Sequence, residues 1–180
     1  MPSKPQTPPK PHVHHRDTAP RAAGCYVLTV SDSRTPATDR SGALATELLE
    51  GGGHRIAGVG IVPDEPAGIR EALSLRVADP DTDVIVITGG TGISKRDQTV
   101  DVVRGMVTRE LPGFGELFRM LSFREIGSAA MLSRAFAGVA GETAIFVLPG
   151  SSGAVKLALD QLIVPEIGHI LRELRKTGSN

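Results

Sequence analysis

The chain has 180 residues, 20 Lys plus Arg against 20 Asp plus Glu, and 40% hydrophobic but only 3% aromatic residues. That length suits one domain, or one domain with a tail, built on an aliphatic core. Zero net charge and scarce aromatics argue against general nucleic-acid binding, and no apolar run approaches the roughly 20 residues of a membrane span.

Met1 to Arg21 holds six of the thirteen prolines and three of the five histidines, with almost nothing apolar. Such a segment cannot bury enough surface to offset its ordering entropy, so 1–21 reads as a flexible tail. It has no apolar stretch that would serve as a signal peptide. The folded domain is expected over 22–176. Cys25-Tyr26-Val27-Leu28-Thr29-Val30 reads as a buried strand. Its single cysteine reads as a structural thiol in a reducing, cytoplasmic setting. Ser31-Asp32-Ser33-Arg34-Thr35-Pro36 is a polar turn. Ser41 is placed to N-cap a helix over Gly42 to Glu50, which Gly51-Gly52-Gly53 stops, one of them left-handed. Arg55 to Val62 is a second strand weakened by Gly58 and Gly60. Pro66 suits the first turn of a helix running to about Ala78.

Asp83 to Thr88 opens on four consecutive β-branched apolar residues, Val84 to Ile87, the pattern of a strand buried on both faces. It empties into Gly89-Gly90-Thr91-Gly92, then Lys95-Arg96, then Asp97 and Asp101. A helix is expected from Thr99 to Arg109. Phe114, Leu117, Phe118 and Leu121 recur at helical spacing. Core under a loop and contact with a neighbouring subunit explain that apolar segment equally well. Arg134 to Val139 and Thr143 to Leu148 flank Ala140-Gly141-Glu142 as a hairpin. Helices follow from Ala154 to Leu162 and from Glu166 to Leu174.

Strands alternating with helices give an α/β fold around a mostly parallel central sheet. Four strands end in Ser31-Asp32-Ser33, Pro63-Asp64-Glu65, Thr88 to Gly92 and Pro149 to Gly153. In a parallel sheet those ends share one edge, where open α/β sheets bind ligands. Glycines let backbone N–H groups approach anionic oxygens. Hydroxyls of Ser31, Thr88, Thr91 and Ser94 add donors, and Lys95 and Arg96 can neutralise phosphate. Asp64, Asp97 and Asp101 make sense beside phosphate when a divalent cation lies between, because magnesium takes one or two carboxylates plus phosphate oxygens. That combination points to phosphoryl or nucleotidyl transfer. The glycine loop alone is a weak signal, matching neither the Walker A nor the dinucleotide spacing. Asp97 serves equally well as an N-cap for the helix near Thr99, and Asp64 as one for the helix after Pro66.

Further motifs add a likeness that spacing does not supply. Thr29 to Ser33, Val62 to Glu65, Thr88 to Gly92 and Asp97-Gln98-Thr99-Val100-Asp101 are joined by Leu111 to Glu116, Met120 to Phe123, Glu125-Ile126-Gly127, Ser133-Arg134-Ala135 and Leu148 to Ser151. In this order, from about Tyr26 to Leu174, they resemble the MoaB/Mog family of molybdenum cofactor biosynthesis proteins. The stretch from Phe114 to Gly141 resembles the MoaB branch more than the MogA branch. The resemblance implies a three-layer α/β/α sandwich that assembles as trimers or hexamers. It implies magnesium-dependent adenylylation of molybdopterin by ATP, with release of pyrophosphate and hand-over to a downstream molybdenum-insertion protein. It places catalysis and magnesium on Asp64 and Asp97, with Asp101 as a supporting acid. Gly89, Gly90, Thr91 and Gly92 are then the loop against the phosphates, and Ser31, Asp32, Ser133, Arg134, Pro149, Gly150 and Ser151 further pocket positions; Glu116 matches a recurrent acid. Many members carry Pro-Lys after the last Pro-Gly and a residue, whereas this chain has Ser151-Ser152-Gly153 with Lys156 nearest. Some MoaB-branch members lack the acid that Asp64 supplies, so the competing expectation is a non-catalytic, molybdopterin-binding or scaffolding member.

Overall fold

A computed structural model describes residues 22–176, so the expected tail and the last four residues lie outside the described part. Nearly all of β1 (Gly24–Val30), β3 (Val84–Thr88) and β6 (Thr143–Leu148) is buried. Alternation along each strand sends side chains to opposite faces. Cys25, Val27, Val84 and Val86 meet Leu49, Val155, Leu159, Ile163 and Ile167 on one face, whereas Leu28, Val30, Ile85 and Ile87 meet Ile69, Leu73, Val100 and Val103 on the other. These two cores make the three-layer α/β/α sandwich. The sheet has six strands in the order β2-β1-β3-β6-β5-β4. β2 (Arg55–Val62), β1, β3 and β6 run parallel, whereas β5 (Phe136–Ala140) and the two-residue β4 (Arg109–Glu110) are antiparallel additions.

The helices sort by face. α1 (Arg40–Gly51), α4 (Pro112–Ile126), α5 (Ser152–Ala158) and α6 (Ile167–Leu174) lie on the first, and α2 (Pro66–Val77) and α3 (Thr99–Arg104) on the second. A 3-10 segment, Gly127–Leu132, follows α4, and a π-helical turn, Leu159–Ile163, follows α5. Under α4, the rings of Phe114 and Phe146 meet edge to face with centroids 5.2 Å apart. Gly58 and Gly60 weaken β2 for a packing reason. A Cβ at Gly60 would stand 2.3 Å from the Tyr26 hydroxyl, so the glycines make room for that ring.

Four expected boundaries move. Asp39, not Ser41, caps α1: its carboxylate accepts from the Gly42 N–H at 3.0 Å, and Ser41 is buried in the first turn. The helix after Asp97 ends at Gly105, because Thr108 and Leu111 donate to Val139 and Ala137 and draw the chain into β4. β5 begins at Phe136, since Arg134 turns aside to the glycine loop. The helix from Ala154 becomes a π-turn that Pro165 ends. At the other helix end in doubt, Gly53, at φ +83°, is the left-handed residue after α1.

Two buried groups sit outside the loops. Cys25 is fully buried, and desolvation, helped by Asp83, pushes its thiol up to about 12. It is a small hydrophobe here, not a nucleophile. His54, between α1 and β2, is 8% exposed and neither ring nitrogen has a partner. Desolvation lowers its pKa, and no charged neighbour offsets this. The folded protein therefore holds His54 neutral, and stability falls as pH drops through the unfolded value of about 6.5. His54→Leu is expected to flatten that part of the profile. Thermal unfolding at steps between pH 8 and 5 checks this, and a wild-type profile flat over the range would contradict it.

Candidate active site

Four parallel strands deliver their carboxyl ends to one edge of the sheet. The β1 turn begins by tying Ser31 N–H to Val62 O at 2.9 Å, and the Ser31 hydroxyl then accepts from Ser33 and Arg34 N–H groups. The Asp32 carboxylate accepts the Asp64 N–H at 3.1 Å and pairs with Arg96. Arg96 and Asp32 are 61% and 51% exposed. Such a pair contributes about 0–1 kcal/mol, so Arg96 can exchange its partner for an incoming anion at small cost.

The two carboxylates singled out by sequence meet the glycine loop. Asp64 does not cap α2, whose N-cap is Glu65; it reaches across to accept the Gln98 N–H at 3.3 Å. Asp97 does not cap α3 either, since Gln98 is the N-cap. Asp97 folds back on its own turn and accepts the Ser94 N–H at 2.9 Å. Gly90, at φ +63°, and Gly92 face these acids. A Cβ at Gly90 would lie 3.1 Å from Asp64 Oδ2, and one at Gly92 would lie 2.7 Å from Asp97 Oδ2. Gly89, at φ +107°, donates to Leu148 O at 2.9 Å and packs beside Gly150. The glycines thus let the loop pass between two acids that larger residues would displace.

Arg134 braces this loop. Its guanidinium donates to Gly92 O at 2.8 Å, to Asp97 O, and to the Asp101 carboxylate at 2.8 Å. Ser133 spends its hydroxyl on the Ala135 N–H. On the other side, Arg34 donates to Asp39, Ser41 and, at 2.7 Å, Gly150 O, tying the β1 and β6 turns together. Ser151 caps α5 through the Ala154 N–H. Thr88 is buried and shares its hydroxyl with Thr29 and Ser41, and Thr91 is 5% exposed. Pro149 leads from β6 into this turn. Lys156 pairs with Asp160 one helical turn on.

The acids differ in ionisation. Burial, together with the negative charges of Asp97 and Asp32, pushes Asp64 above the usual carboxylate range. The Ser94 hydroxyl, followed by backbone N–H groups and Arg134, holds Asp97 below it. No group of three or more His, Cys, Asp or Glu among the described residues forms a metal cage. The donor set nonetheless fits magnesium, which takes one or two carboxylates and fills its shell with phosphate and water. A cation held there would offset the burial and like-charge repulsion on Asp64.

Arg34 and Asp39 belong to the edge although sequence did not single them out; Ser41, expected as an N-cap, turns its hydroxyl into it, and Arg96, expected to neutralise phosphate, pairs there with Asp32. Asp39, three residues before Gly42, carried a readable N-cap signal; nothing local marks Arg34, whose partner Gly150 is 116 residues away. Glu116 lies apart from the acids, in a cavity of about 360 Å³ shared with Arg104, Arg119, Ser133 and Arg134. A larger cavity, about 720 Å³, lies elsewhere, between α1 and β2, and touches the edge through Thr29, Pro36 and Asp39.

Two outcomes follow from this geometry. Gly90→Ala sets a Cβ 2.0 Å from Thr99 Oγ1 at a positive φ and is expected to lower stability in urea by about 1–3 kcal/mol. Asp64→Asn is expected to raise the melting temperature at pH 7. The folded pKa is raised, so ionisation opposes folding as pH climbs above about 4, and the gain disappears below that value. Melting curves of wild type and variant at pH 4 and 7 check the sign.

Residues 26–169 match a family described as a probable molybdopterin binding domain. The molybdenum cofactor biosynthesis protein B of Halalkalibacterium halodurans is 52% identical over 163 residues, covering 90% of this chain and 96% of that protein. A crystal structure of a molybdenum cofactor biosynthesis protein B superposes with a TM-score of 0.86 at 48% identity, covering 89% of this chain and all of the other. The tungsten cofactor synthesizing protein MoaB from Pyrococcus furiosus superposes with a TM-score of 0.79 at 38% identity, covering 88% and 100%. The chain therefore belongs to the MoaB/Mog family of molybdopterin-binding domains.

Proposed function

We propose that the protein acts in molybdenum or tungsten cofactor biosynthesis by adenylylating molybdopterin. The terminal phosphate of molybdopterin attacks the α-phosphorus of ATP. A new P–O bond forms, the bond to the β-phosphate oxygen breaks, and adenylyl-molybdopterin and pyrophosphate leave. The observation that supports this best is the pair of carboxylates with opposite ionisation bias against Gly90 and Gly92. The attacking phosphate is already ionised, so no general base is required. Catalysis is then a matter of positioning and charge.

Each residue has a task in this reading. Gly89 to Gly92 allow close approach to phosphate oxygens, Arg96 is free to turn to them, and Arg134 holds the loop in place. Asp64 and Asp97 would hold magnesium, which when bound screens the charge gathered on the phosphates. Around the site, we also infer an oligomer, trimeric or hexameric, acting in the cytoplasm and passing its product to a molybdenum-insertion protein. Leu117, Met120, Phe123, Ile126, Met131 and Leu132 are exposed apolar residues on α4 and the 3-10 segment, the kind of surface that a neighbouring subunit covers. No helix among the described residues is long and apolar enough to cross a membrane.

The assay combines protein, molybdopterin, ATP and magnesium, and follows adenylylated pterin and pyrophosphate. Both products are expected, and chelating the magnesium is expected to stop them. Asp97→Ala and Asp64→Asn are each expected to lower turnover by roughly 10²–10³-fold. Undiminished turnover in Asp97→Ala would sink the catalytic assignment, and pterin binding without any turnover would identify a binding protein.

A further inference from the structure

Thr99 opens α3, and its side chain is fully buried. Its hydroxyl has no hydrogen-bond partner; among the described residues only the ring nitrogens of His54 share that condition. Keeping a buried hydroxyl unpaired costs free energy that valine, of the same shape, does not incur. The hydroxyl also points somewhere specific. It lies 2.0 Å from where a Gly90 Cβ would be, and Asp64 Oδ2 lies 3.1 Å from the same point. Thr99 Oγ1 and Asp64 Oδ2 therefore lie on the same side of Gly90, both bordering the space that a side chain there would fill. The other Asp64 oxygen, Oδ1, already accepts from Gln98. No hydrogen bond to Oδ2 is formed in this arrangement.

Thr88 and Ser41, buried nearby, show the contrast, because each hydroxyl has a partner. Burial at this edge does not by itself prevent pairing. Thr99 and its nearest free carboxylate oxygen both border Gly90, and glycine is the residue with the widest backbone freedom.

We propose that Thr99 is a positioning residue: when phosphate occupies the glycine loop, the Gly90 backbone shifts and the Thr99 hydroxyl donates to Asp64 Oδ2. This rests on the reading of the loop as a phosphate site. The bond is made only in the occupied state, so its energy appears in ligand affinity and not in the stability of the empty protein. It also fixes the orientation of the carboxylate that faces the phosphates.

The test compares wild type, Thr99→Val and Thr99→Ser. Calorimetric titration with magnesium-ATP, and separately with molybdopterin, needs no turnover. Thr99→Val is expected to bind at least one of them about tenfold more weakly, with an unliganded melting temperature equal to or above wild type. Thr99→Ser keeps the donor and is expected to recover most of the lost affinity. A structural role predicts the reverse, a lower melting temperature with affinity retained, and that result overturns the proposal. So does unchanged affinity of Thr99→Val for both ligands, failure of Thr99→Ser to recover any affinity, or failure of wild type to bind either ligand. Wild type that binds but forms no adenylylated pterin overturns the adenylylation reading alone, and the Thr99 comparison still stands on the titrations.

Discussion

Burial of β3 on both faces is the constraint on which the rest of this structure depends. Val84 to Ile87 are wholly excluded from solvent, flanked by β1 and β6 and covered by helices on both sides. A strand so placed cannot slip by one residue without exchanging its two cores. The point at which it leaves the sheet is therefore rigidly set, in the middle of the edge and not at a margin. Gly89 to Gly92 inherit that position. The β1 and β6 turns flank them, and the β2 turn arrives one strand further out, carrying Asp64. Strand order thus decides which chemistry meets, and the glycines decide how closely.

A second layer of control is electrostatic. Asp64 and Asp97 come from different strand-to-helix turns and are driven in opposite directions, one by burial and like charge, the other by hydroxyl and backbone donors. Two carboxylates tuned apart in one cleft are characteristic of functional sites. Arginines hold the arrangement together. Arg134 spans the glycine loop, Asp97 and Asp101, and Arg34 spans the β1 and β6 turns. Both are partly sheltered, unlike Arg96, whose exposed pairing with Asp32 is easily exchanged. Fixed and exchangeable cations therefore sit side by side at this edge.

Much of the fold was legible because its signals are local. Continuous β-branched runs announce strands buried on both faces, Gly53 and Gly141 mark the turns they occupy at positive φ, and Pro66 opens a helix. The boundaries that moved did so where a tertiary bond outweighed a local preference. α3 gave way to β4 because the backbone of β5 offers acceptors to Thr108 and Leu111. Ser41 lost the cap to Asp39, and its hydroxyl went inward to Arg34 and Thr88. At the edge, the acids and glycines stood out as residue types suited to phosphate and metal. Of the arginine braces, Arg134 entered only through the resemblance and Arg34 not at all, because an arginine's partner is set by contacts many tens of residues away.

By itself the sequence determined the layered α/β architecture, the sharing of one edge by four strand ends, and the family to which those turns belong. These follow from hydrophobic period, from turn chemistry and from motifs in order. Only the tertiary structure decided that Asp64 reaches Gln98 instead of capping its own helix, that Asp97 turns back to Ser94, and that Thr99 stands unpaired behind Gly90. A capping box and a cross-loop contact use the same residues at the same spacing. Which of them forms depends on where the neighbouring turn lies in space, and that is a property of the packed sheet, not of any one stretch of chain.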